Sequence, residues 1–300
     1  MVARIILALV LSFQIIGCGG GENTAGDDEQ HDVVVSFYPL AYAAERVRGE
    51  SLSIRNLTPP GAEPHDVELS ARDVERVRSA AVVLYFGSGF QPGLERAVEG
   101  ADGETIDLLE GLDLRMGGAP DEHKAEHAEE RARKGVDPHV WLDPVRYAQI
   151  VERIGTILDR PDEAAALKRE SMALDGEFRT GLENCERREL VTSHAAFGYL
   201  AERYGLEQIA ITGLSPEAEP TAGELGRVVE KVREHGATTI FFETLVSPRI
   251  AQTVAREANS RTAVLNPLEG LTEEDIDAGA DYFSVMRTNL AALREALECR

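Results

Sequence analysis

Histidine is the residue type in this 300-residue sequence most suited to chemistry, and three of its seven histidines occupy equivalent positions. His65 lies in the run GAEPHD shortly after a predicted strand, His139 lies in DPHVWLDP, and His194 closes LVTSH just before a predicted helix. Ligand sites in open α/β sheets form outside the carboxyl ends of the strands, so we expect these three imidazoles to converge. Neutral imidazole is the commonest protein ligand for metals, and the pattern therefore indicates a metal site.

A carboxylate completes this candidate site. Glu269 stands in the run LNPLEGL, again just past a predicted strand. Three imidazoles and one carboxylate satisfy the tetrahedral coordination of Zn²⁺. Spacing by itself leaves a second interpretation open, because a single histidine at a strand end is more often a hydrogen-bonded structural residue.

The elements that must position these side chains alternate along the chain. Seven short apolar runs predict strands: Val33 to Tyr38, Leu52 to Leu57, Ala80 to Phe86, Leu190 to Ser193, Ile209 to Thr212, Thr239 to Glu243 and Thr262 to Leu265. Helical patterns lie between them at 41–47, 71–79, 195–204, 222–234 and 247–258. This alternation predicts an α/β fold with parallel sheets flanked by helices, in two halves.

One long helix is predicted between the two halves. The stretch from Asp162 to Glu186 contains no proline, and its apolar residues form a helical stripe: Ala164, Leu167, Met172, Leu174 and Phe178. The predicted organisation is an N-terminal α/β lobe at 32–160, a single connecting helix at 161–186 and a C-terminal α/β lobe at 187–300.

A charged segment at 117–135 interrupts the first lobe. Its central stretch, 121–134, holds five acidic and four basic residues together with His123 and His127, and it has no large apolar side chain. Such a stretch has nothing to pack against a core, so we expect a solvated loop or a frayed helix. His123 and His127 are candidates for an auxiliary metal loop.

The start of the chain predicts export. Ile5 to Ile16 is mostly apolar, is too short to span a membrane and leads into IIGC, the pattern of a bacterial lipoprotein signal at 1–18. In this interpretation Cys18 becomes the lipidated first residue, and the glycine-rich, acidic stretch 19–31 is a flexible tether. An ordinary signal peptide with an incidental cysteine is the alternative.

Charge and cysteine content narrow the class of protein. The 53 acidic and 31 basic residues leave a net charge of −22, which argues against nucleic acids and anionic lipid surfaces as partners.

In an oxidising compartment, a disulfide is the economical interpretation of the remaining pair, Cys185 and Cys299. Two buried free thiols are the alternative.

Five motifs resemble, in the same order, those of the zinc/manganese solute-binding lipoproteins of ABC importers. They are FYPL at 37–40, PPGAEPHDVEL at 59–69, DPHVWLDP at 137–144, TSHAAFGYL at 192–200 and LNPLEGL at 265–271. The resemblance runs from about Val33 to the C-terminus. It implies two lobes joined by one rigid helix, with a metal in the cleft held by His65, His139 and His194, and with Glu269 as the fourth ligand.

The same resemblance implies a cellular location, transporter partners and a preferred metal for the protein. The protein would be a monomer held by its lipid at the extracellular or periplasmic face of the membrane, with an ABC permease and its ATPase as partners. Manganese-preferring relatives carry a carboxylate where His194 stands, and oxygen ligands suit Mn²⁺, so a third nitrogen favours Zn²⁺. A manganese-specific binding protein is the alternative. Some zinc members carry a His-rich loop before the second ligand, but 117–135 offers two histidines, which favours a solvated insertion.

Other classes of function compete with metal transport. The run HKAEH at 123–127 matches the inverted zinc-protease motif, although its surroundings are charged throughout. An exported zinc metallohydrolase built from the three convergent histidines is the stronger enzyme alternative, but four protein ligands leave no open position for water. A lipid-anchored adhesin, a role considered for relatives, would leave the histidine pattern unexplained. We therefore predict a binding protein and not an enzyme, one that captures Zn²⁺ and delivers it to an importer.

Overall fold

The computed structural model describes residues 32–50, 52–117, 135–216 and 220–300. Within these ranges the chain forms two lobes, each built on a four-stranded parallel sheet flanked by helices, which confirms the predicted fold class. The predicted signal and tether, Cys18, His123 and His127 lie outside the described residues. Across the described ranges, no helix combines the length and apolar character needed to cross a membrane.

The N-terminal lobe contains a sheet in the order β2-β1-β3-β4. Its strands are β1 (Val33–Val35), β2 (Ile54–Asn56), β3 (Val82–Tyr85) and β4 (Glu104–Asp107). Its helices are α1 (Tyr38–Val47), α2 (Ala71–Ser79), α3 (Pro92–Val98) and α4 (Pro144–Ile157). All three residues of β1 are buried, as expected of a parallel strand covered on both faces.

The C-terminal lobe repeats this topology in the order β6-β5-β7-β8. Its strands are β5 (Glu189–Thr192), β6 (Glu207–Ala210), β7 (Thr239–Phe242) and β8 (Arg261–Val264). Its helices are α6 (Gly198–Tyr204), α7 (Ala222–Glu234), α8 (Arg249–Ala258), α9 (Glu273–Asp277) and α10 (Tyr282–Ala296). In each lobe the second and third strands lie on opposite sides of the first, and this reversal of strand order is where α/β sheets bind ligands.

The connecting helix, α5, runs from Pro161 to Leu182 and is shorter than the predicted 161–186. It begins with proline at its first position and has Asp162 and Glu163 in its first turn, both favourable at a helix N-terminus. At its end the Arg188 guanidinium donates to the carbonyls of Leu182 and Glu183, both at 2.9 Å, and so satisfies two carbonyls that the helix leaves without partners.

The apolar stripe of α5 faces the protein core with one exception. Ala164, Leu167, Leu174 and Phe178 are buried, whereas Met172 is 43% exposed, so its assignment to the stripe was wrong. The strand β4, with the sequence ETID, was not predicted, because its two acidic residues and exposed first half resemble a loop. The predicted helix at 195–204 divides into a 3₁₀ turn at Ala195–Phe197 followed by α6.

The two lobes share a core. One cluster of buried apolar side chains includes Val35 of β1, Phe178 of α5, Phe241 of β7 and Leu293 of α10. Trp141, between the lobes, belongs to the same cluster and is fully buried. Because domains move easily only where their interface is small and polar, this shared apolar core resists wide hinge opening.

Two further contacts close long stretches of chain. Met116 and Val136 form a bridge, and the N–H of Gly117 bonds to the carbonyl of Gly135, so the two ends of the charged segment lie side by side. Cys185 and Cys299, which are 114 positions apart, are joined by a disulfide that ties the stretch after α5 to the stretch after α10.

Candidate metal centre

The four side chains singled out in the sequence converge between the lobes. His65, His139, His194 and Glu269 each offer one ligand atom, and these atoms all lie within 4.8 Å of one another. The Oε1 atom of Glu269 lies 3.1 Å from His139 Nε2, 3.2 Å from His194 Nε2 and 3.4 Å from His65 Nε2. Three imidazole nitrogens and one carboxylate oxygen in this arrangement are a donor set for tetrahedral Zn²⁺.

Each lobe supplies two of the four residues. Three of them come after a strand, whereas His139 comes after the isolated bridge residue Val136. His65 lies in a 3₁₀ turn at Pro64–Asp66 after β2, and His139 precedes the 3₁₀ turn at Val140–Leu142. His194 comes two residues after β5, while Glu269 lies five residues past β8. The ligand atoms therefore meet only when the carboxyl ends of the two sheets face each other.

Two of the imidazoles have a carboxylate partner on their second nitrogen. His139 Nδ1 lies 2.8 Å from Asp137 Oδ1, and His194 Nδ1 lies 2.7 Å from Glu243 Oε1. Each carboxylate also accepts from the backbone N–H of the same histidine. These bonds orient both rings with Nε2 toward Glu269, and in metal sites such partners fix the tautomer and strengthen the ligand.

Neither of these partners was predicted from the sequence. Asp137 precedes His139 by two positions in DPH, a spacing typical of a side chain that bonds the backbone two residues on, so a local signal existed. Glu243 follows the apolar strand TIFF directly and is 3% exposed. Its only signal was an acidic residue at the end of a buried strand, and its pairing with His194 spans 49 positions.

His65 is held by its backbone and by an aromatic neighbour. Its N–H donates to Glu63 Oε1 at 3.3 Å, and the buried Gln91 side chain donates to the carbonyl of Pro64 at 3.1 Å. The ring of Phe90 meets the imidazole edge to face, with 4.7 Å between the centroids. The side chain of His65 is 9% exposed, whereas those of His139, His194 and Glu269 are completely buried.

The side of the centre at His65 opens onto solvent. A cavity of about 600 Å³ lies against this imidazole and is lined by residues of the turn around it and of α3, among them Asp66, Glu68, Pro92 and Arg96. A larger depression of about 790 Å³, lined by Arg146 and Arg153, contains none of the four candidate ligands. His65 is thus the candidate ligand nearest to an open path.

Burial and charge shift the pKa values of these groups in opposite directions. Burial lowers the pKa of His65, against the opposing effect of Glu269. Burial would also lower the pKa of His139 and His194, but the adjacent carboxylates outweigh it and raise both. Burial would raise the pKa of Glu269, yet the His194 charge and hydrogen bonds from the imidazoles hold it well below its usual range.

A further carboxyl group lies beside the centre. Burial, and next the charge of Glu269, raise the pKa of Glu63 to about 9. One carboxyl oxygen of Glu63 is buried and has no hydrogen-bond partner among the described residues, as is also true of Glu243 and Glu269. Buried polar atoms without partners are uncommon, and their concentration at one place marks a site shaped for a cation.

The fold and these residues define a class: a protein of two α/β lobes with a buried cluster of histidines and a carboxylate between them that could hold a metal ion. Comparison with known families agrees. The family model described as "Zinc-uptake complex component A periplasmic" matches residues 33–296. The chain belongs to this family.

Curated relatives carry names that refer to zinc. The zinc-binding lipoprotein AdcA of Streptococcus pneumoniae is 36% identical over 98% of this chain and 60% of its own length. The high-affinity zinc uptake system protein ZnuA of Bacillus subtilis is 32% identical over 94% of this chain and 93% of its own length. The chain thus spans about 60% of the length of the first relative and nearly all of the second.

Solved structures show the same architecture. The Zn(II)-bound ZnuA-like domain of S. pneumoniae AdcA matches with a TM-score of 0.73 and 35% identity, covering 90% of this chain and 100% of that domain. The laminin-binding protein Lmb of Streptococcus agalactiae, described as bifunctional with adhesin and metal-transporting activity, matches with a TM-score of 0.76 and 27% identity. That match covers 89% of this chain and 99% of the other.

Proposed function

We propose that this protein captures Zn²⁺ in the cleft between its lobes and delivers it to an ABC-type importer. The observation that carries the proposal is the meeting of three imidazole Nε2 atoms around the Oε1 atom of Glu269. His65, His139, His194 and Glu269 are the proposed ligands. Membership of a zinc-uptake family supports the same assignment.

The donor set favours zinc over manganese and binding over catalysis. Three nitrogens and one oxygen suit the borderline-soft Zn²⁺, whereas Mn²⁺ prefers oxygen ligands in larger number. Catalytic zinc keeps an open position for water, and four protein ligands close the tetrahedral shell. We therefore propose that the ion is cargo and that this chain makes and breaks no covalent bonds.

The location that we propose rests on the residue pattern at 1–31 and on the name of a relative. We propose export under the 1–18 signal, lipidation at Cys18 and a flexible tether at 19–31 that holds a monomer at the outer face of the cell membrane or in the periplasm. The lipoprotein name of the pneumococcal relative supports this location, and so does the Cys185–Cys299 disulfide, which persists in an oxidising compartment. The partners would be a membrane permease and its cytoplasmic ATPase.

Metal competition tests the proposal. The chain from Gly19 to Arg300, untagged and stripped of metal, is given equal zinc and excess manganese, and its metal content is measured. We expect one equivalent of zinc, lost in His194→Ala and retained in His235→Ala, a matched histidine outside the centre. One equivalent of manganese would keep the family but overturn the choice of metal.

The charged segment supplies a second comparison. A variant lacking residues 121–134 removes His123 and His127 together. We expect it to retain its equivalent of zinc, because the proposed ligands all lie outside that stretch. A deletion that loses zinc while His194→Ala retains it would move the site to the segment.

A further inference from the structure

The loop that carries Glu269 has an unusual backbone. Leu268, immediately before Glu269, is fully buried and adopts a left-handed conformation with φ of +57°. This conformation is unfavourable for a leucine because its Cβ atom crowds the following carbonyl oxygen. Surrounding contacts must therefore hold the loop in place.

Two asparagines supply these contacts. Asn289, on α10, accepts from the N–H of Asn266 at 2.9 Å and donates to the carbonyl of the same residue at 2.7 Å. The side chain of Asn266 then accepts from the N–H of Leu268 at 2.7 Å. A continuous set of hydrogen bonds thus runs from the C-terminal helix to the residue that precedes Glu269.

The N-terminal lobe holds the same loop from the other side. The indole N–H of Trp141 donates to the carbonyl of Pro267 at 2.8 Å, and Trp141 lies two residues after His139. The Tyr282 hydroxyl, also on α10, donates to the carbonyl of Trp141 at 2.6 Å. The loop of Glu269 and the segment of His139 are therefore held together and to the same helix.

We propose that Asn289 is a positioning residue for the metal centre. Acting through Asn266, it keeps Leu268 in its left-handed conformation and so keeps the Glu269 carboxylate against the three imidazoles. Without these hydrogen bonds, Leu268 relaxes to an ordinary backbone conformation and turns Glu269 away from the centre. The inference rests on the proposed function, in which Glu269 is the fourth zinc ligand.

Asn289 is suited to this role by its chemistry and its place. It is 2% exposed, and a short polar side chain inside a helix competes with the helical backbone unless it has partners elsewhere. Its side chain carries a carbonyl oxygen that accepts and an NH₂ group that donates, which match the N–H and the carbonyl of a single residue. An apolar side chain of similar size would fill the space and bond neither group.

A double-mutant cycle separates positioning from general stabilisation. Zinc affinity is measured by competition with a chelator for the chain from Gly19 to Arg300, for Asn289→Leu, for Glu269→Gln and for the double variant. Residues that support a metal ligand typically contribute about 10- to 100-fold in affinity, and we expect that loss in Asn289→Leu. In the Glu269→Gln background the same change should cost no more than about twofold, because the ligand it positions is already impaired.

Controls distinguish the possible failures. Thr288→Ala, at a neighbouring exposed position of α10, should leave zinc affinity unchanged. If Glu269→Gln and His194→Ala both keep full affinity, the proposed ligand set is wrong. If those variants weaken binding but Asn289→Leu does not, or weakens it equally in both backgrounds, the ligand set stands and the role of Asn289 is overturned.

A spectroscopic readout covers the case in which Asn289→Leu does not fold. Asn289→Asp has the same shape and keeps the acceptor for the Asn266 N–H, but it cannot donate to the Asn266 carbonyl. With Co²⁺ in place of zinc, we expect its visible absorption to shift from that of the parent protein, reporting an altered fourth ligand, while Thr288→Ala keeps the parent spectrum. An Asn289→Asp spectrum identical to the parent would overturn the inference.

Discussion

The metal centre has two sides that are built differently. His139 and His194 are completely buried and each has a carboxylate on its second nitrogen, Asp137 and Glu243. His65 lies in a short turn, is partly exposed and faces a cavity, and its turn is held by a hydrogen bond from Gln91 to the backbone. The buried side is thus preformed and charged, whereas the His65 side is where the centre meets solvent.

This difference assigns separate tasks to the two sides. Oriented imidazoles with carboxylate partners bind metal strongly and lose little entropy when they do so. His65 lies on a short turn beside a cavity and is the least buried of the three imidazoles, so its movement should disturb the core least. We expect His139 and His194 to determine most of the affinity for zinc. His65 should be the last residue to coordinate the ion on binding and the first to leave it on release.

The largest expected effect is that of pH. In the metal-free protein the carboxylates raise the pKa of His139 and His194, so both imidazoles hold protons at a pH where an ordinary histidine, with a pKa of about 6.5, is neutral. Zinc must displace these protons, and affinity should fall by about tenfold per pH unit for each proton displaced as pH drops through the raised values. Calorimetry in buffers of different ionisation enthalpy measures the protons released. Affinity that stays constant from pH 7.5 to 5 would contradict a three-histidine site.

The same shifts predict how zinc changes thermal stability. A histidine with a raised pKa stabilises the metal-free fold below about pH 6.5, and this contribution is lost as pH rises through the raised value. The increase in melting temperature on adding zinc should therefore be larger at pH 8.5 than at pH 6. Equal increases at both values, measured by thermal unfolding, would argue against protonation of the buried pair.

Removal of single ligands should separate the two sides. Structural zinc sites bind with about 10–16 kcal/mol shared among four ligands, so loss of one buried imidazole in His194→Ala should weaken binding roughly 100- to 1,000-fold. We expect His65→Ala to weaken zinc binding less, because solvent or a buffer ligand takes the vacated position. Its main effect should be faster zinc dissociation, because His65 lies on the side of the centre that faces the cavity. Stopped-flow release into a chelator measures this rate. The roles assigned to the two sides would be reversed if His65→Ala bound zinc more weakly than His194→Ala and released it more slowly.

Changes to the carboxylate partners of His139 and His194 should lower zinc affinity moderately, whereas a matched change on the His65 side should not. Asp137→Asn and Glu243→Gln keep the shape of each side chain and remove its charge, and such partners typically contribute about 10- to 100-fold in metal affinity. Gln91→Leu is the matched change on the other side. It should leave zinc affinity within about threefold, because the Gln91 amide donates to the Pro64 carbonyl and the Thr58 hydroxyl and to no proposed ligand side chain. Equal losses in all three variants, by chelator competition, would abolish the distinction between the two sides.

The smallest effect on zinc is expected from the disulfide. Cys185 and Cys299 close a loop of more than 100 residues, for which chain entropy predicts about 4–5 kcal/mol of stabilisation. The double change Cys185→Ser and Cys299→Ser should lower the melting temperature clearly and alter zinc affinity by less than about threefold. The disulfide lies before the amino end of β5, whereas His194 follows its carboxyl end, and distant sites act independently. Chemical denaturation and chelator competition on the same samples give both numbers. A large loss of affinity would show that the chain ends are coupled to the metal centre.

Much of this architecture was predictable from local patterns. The bounds of α2 and α7 agree with the sequence analysis because each begins with a capping box, at Ser70 and Thr221, that defines a helix start locally. The edge strand β4 was missed because its residues are acidic and half exposed. The end of α5 was misplaced because the cap comes from Arg188, beyond the helix itself.

The sequence by itself determined the alternation of strands and helices and the four residues able to bind a metal, since residue type and periodicity are local properties of the chain. Only the tertiary structure decided which nitrogen of His194 faces the centre, because Glu243 reaches His194 across 49 positions through the pairing of β5 with β7. It also decided how Glu269 is held, because Asn289 meets Asn266 only when α10 packs against the second sheet. Contacts of this kind depend on where helices and strands lie in space, so they cannot be predicted from the spacing of residues along the chain.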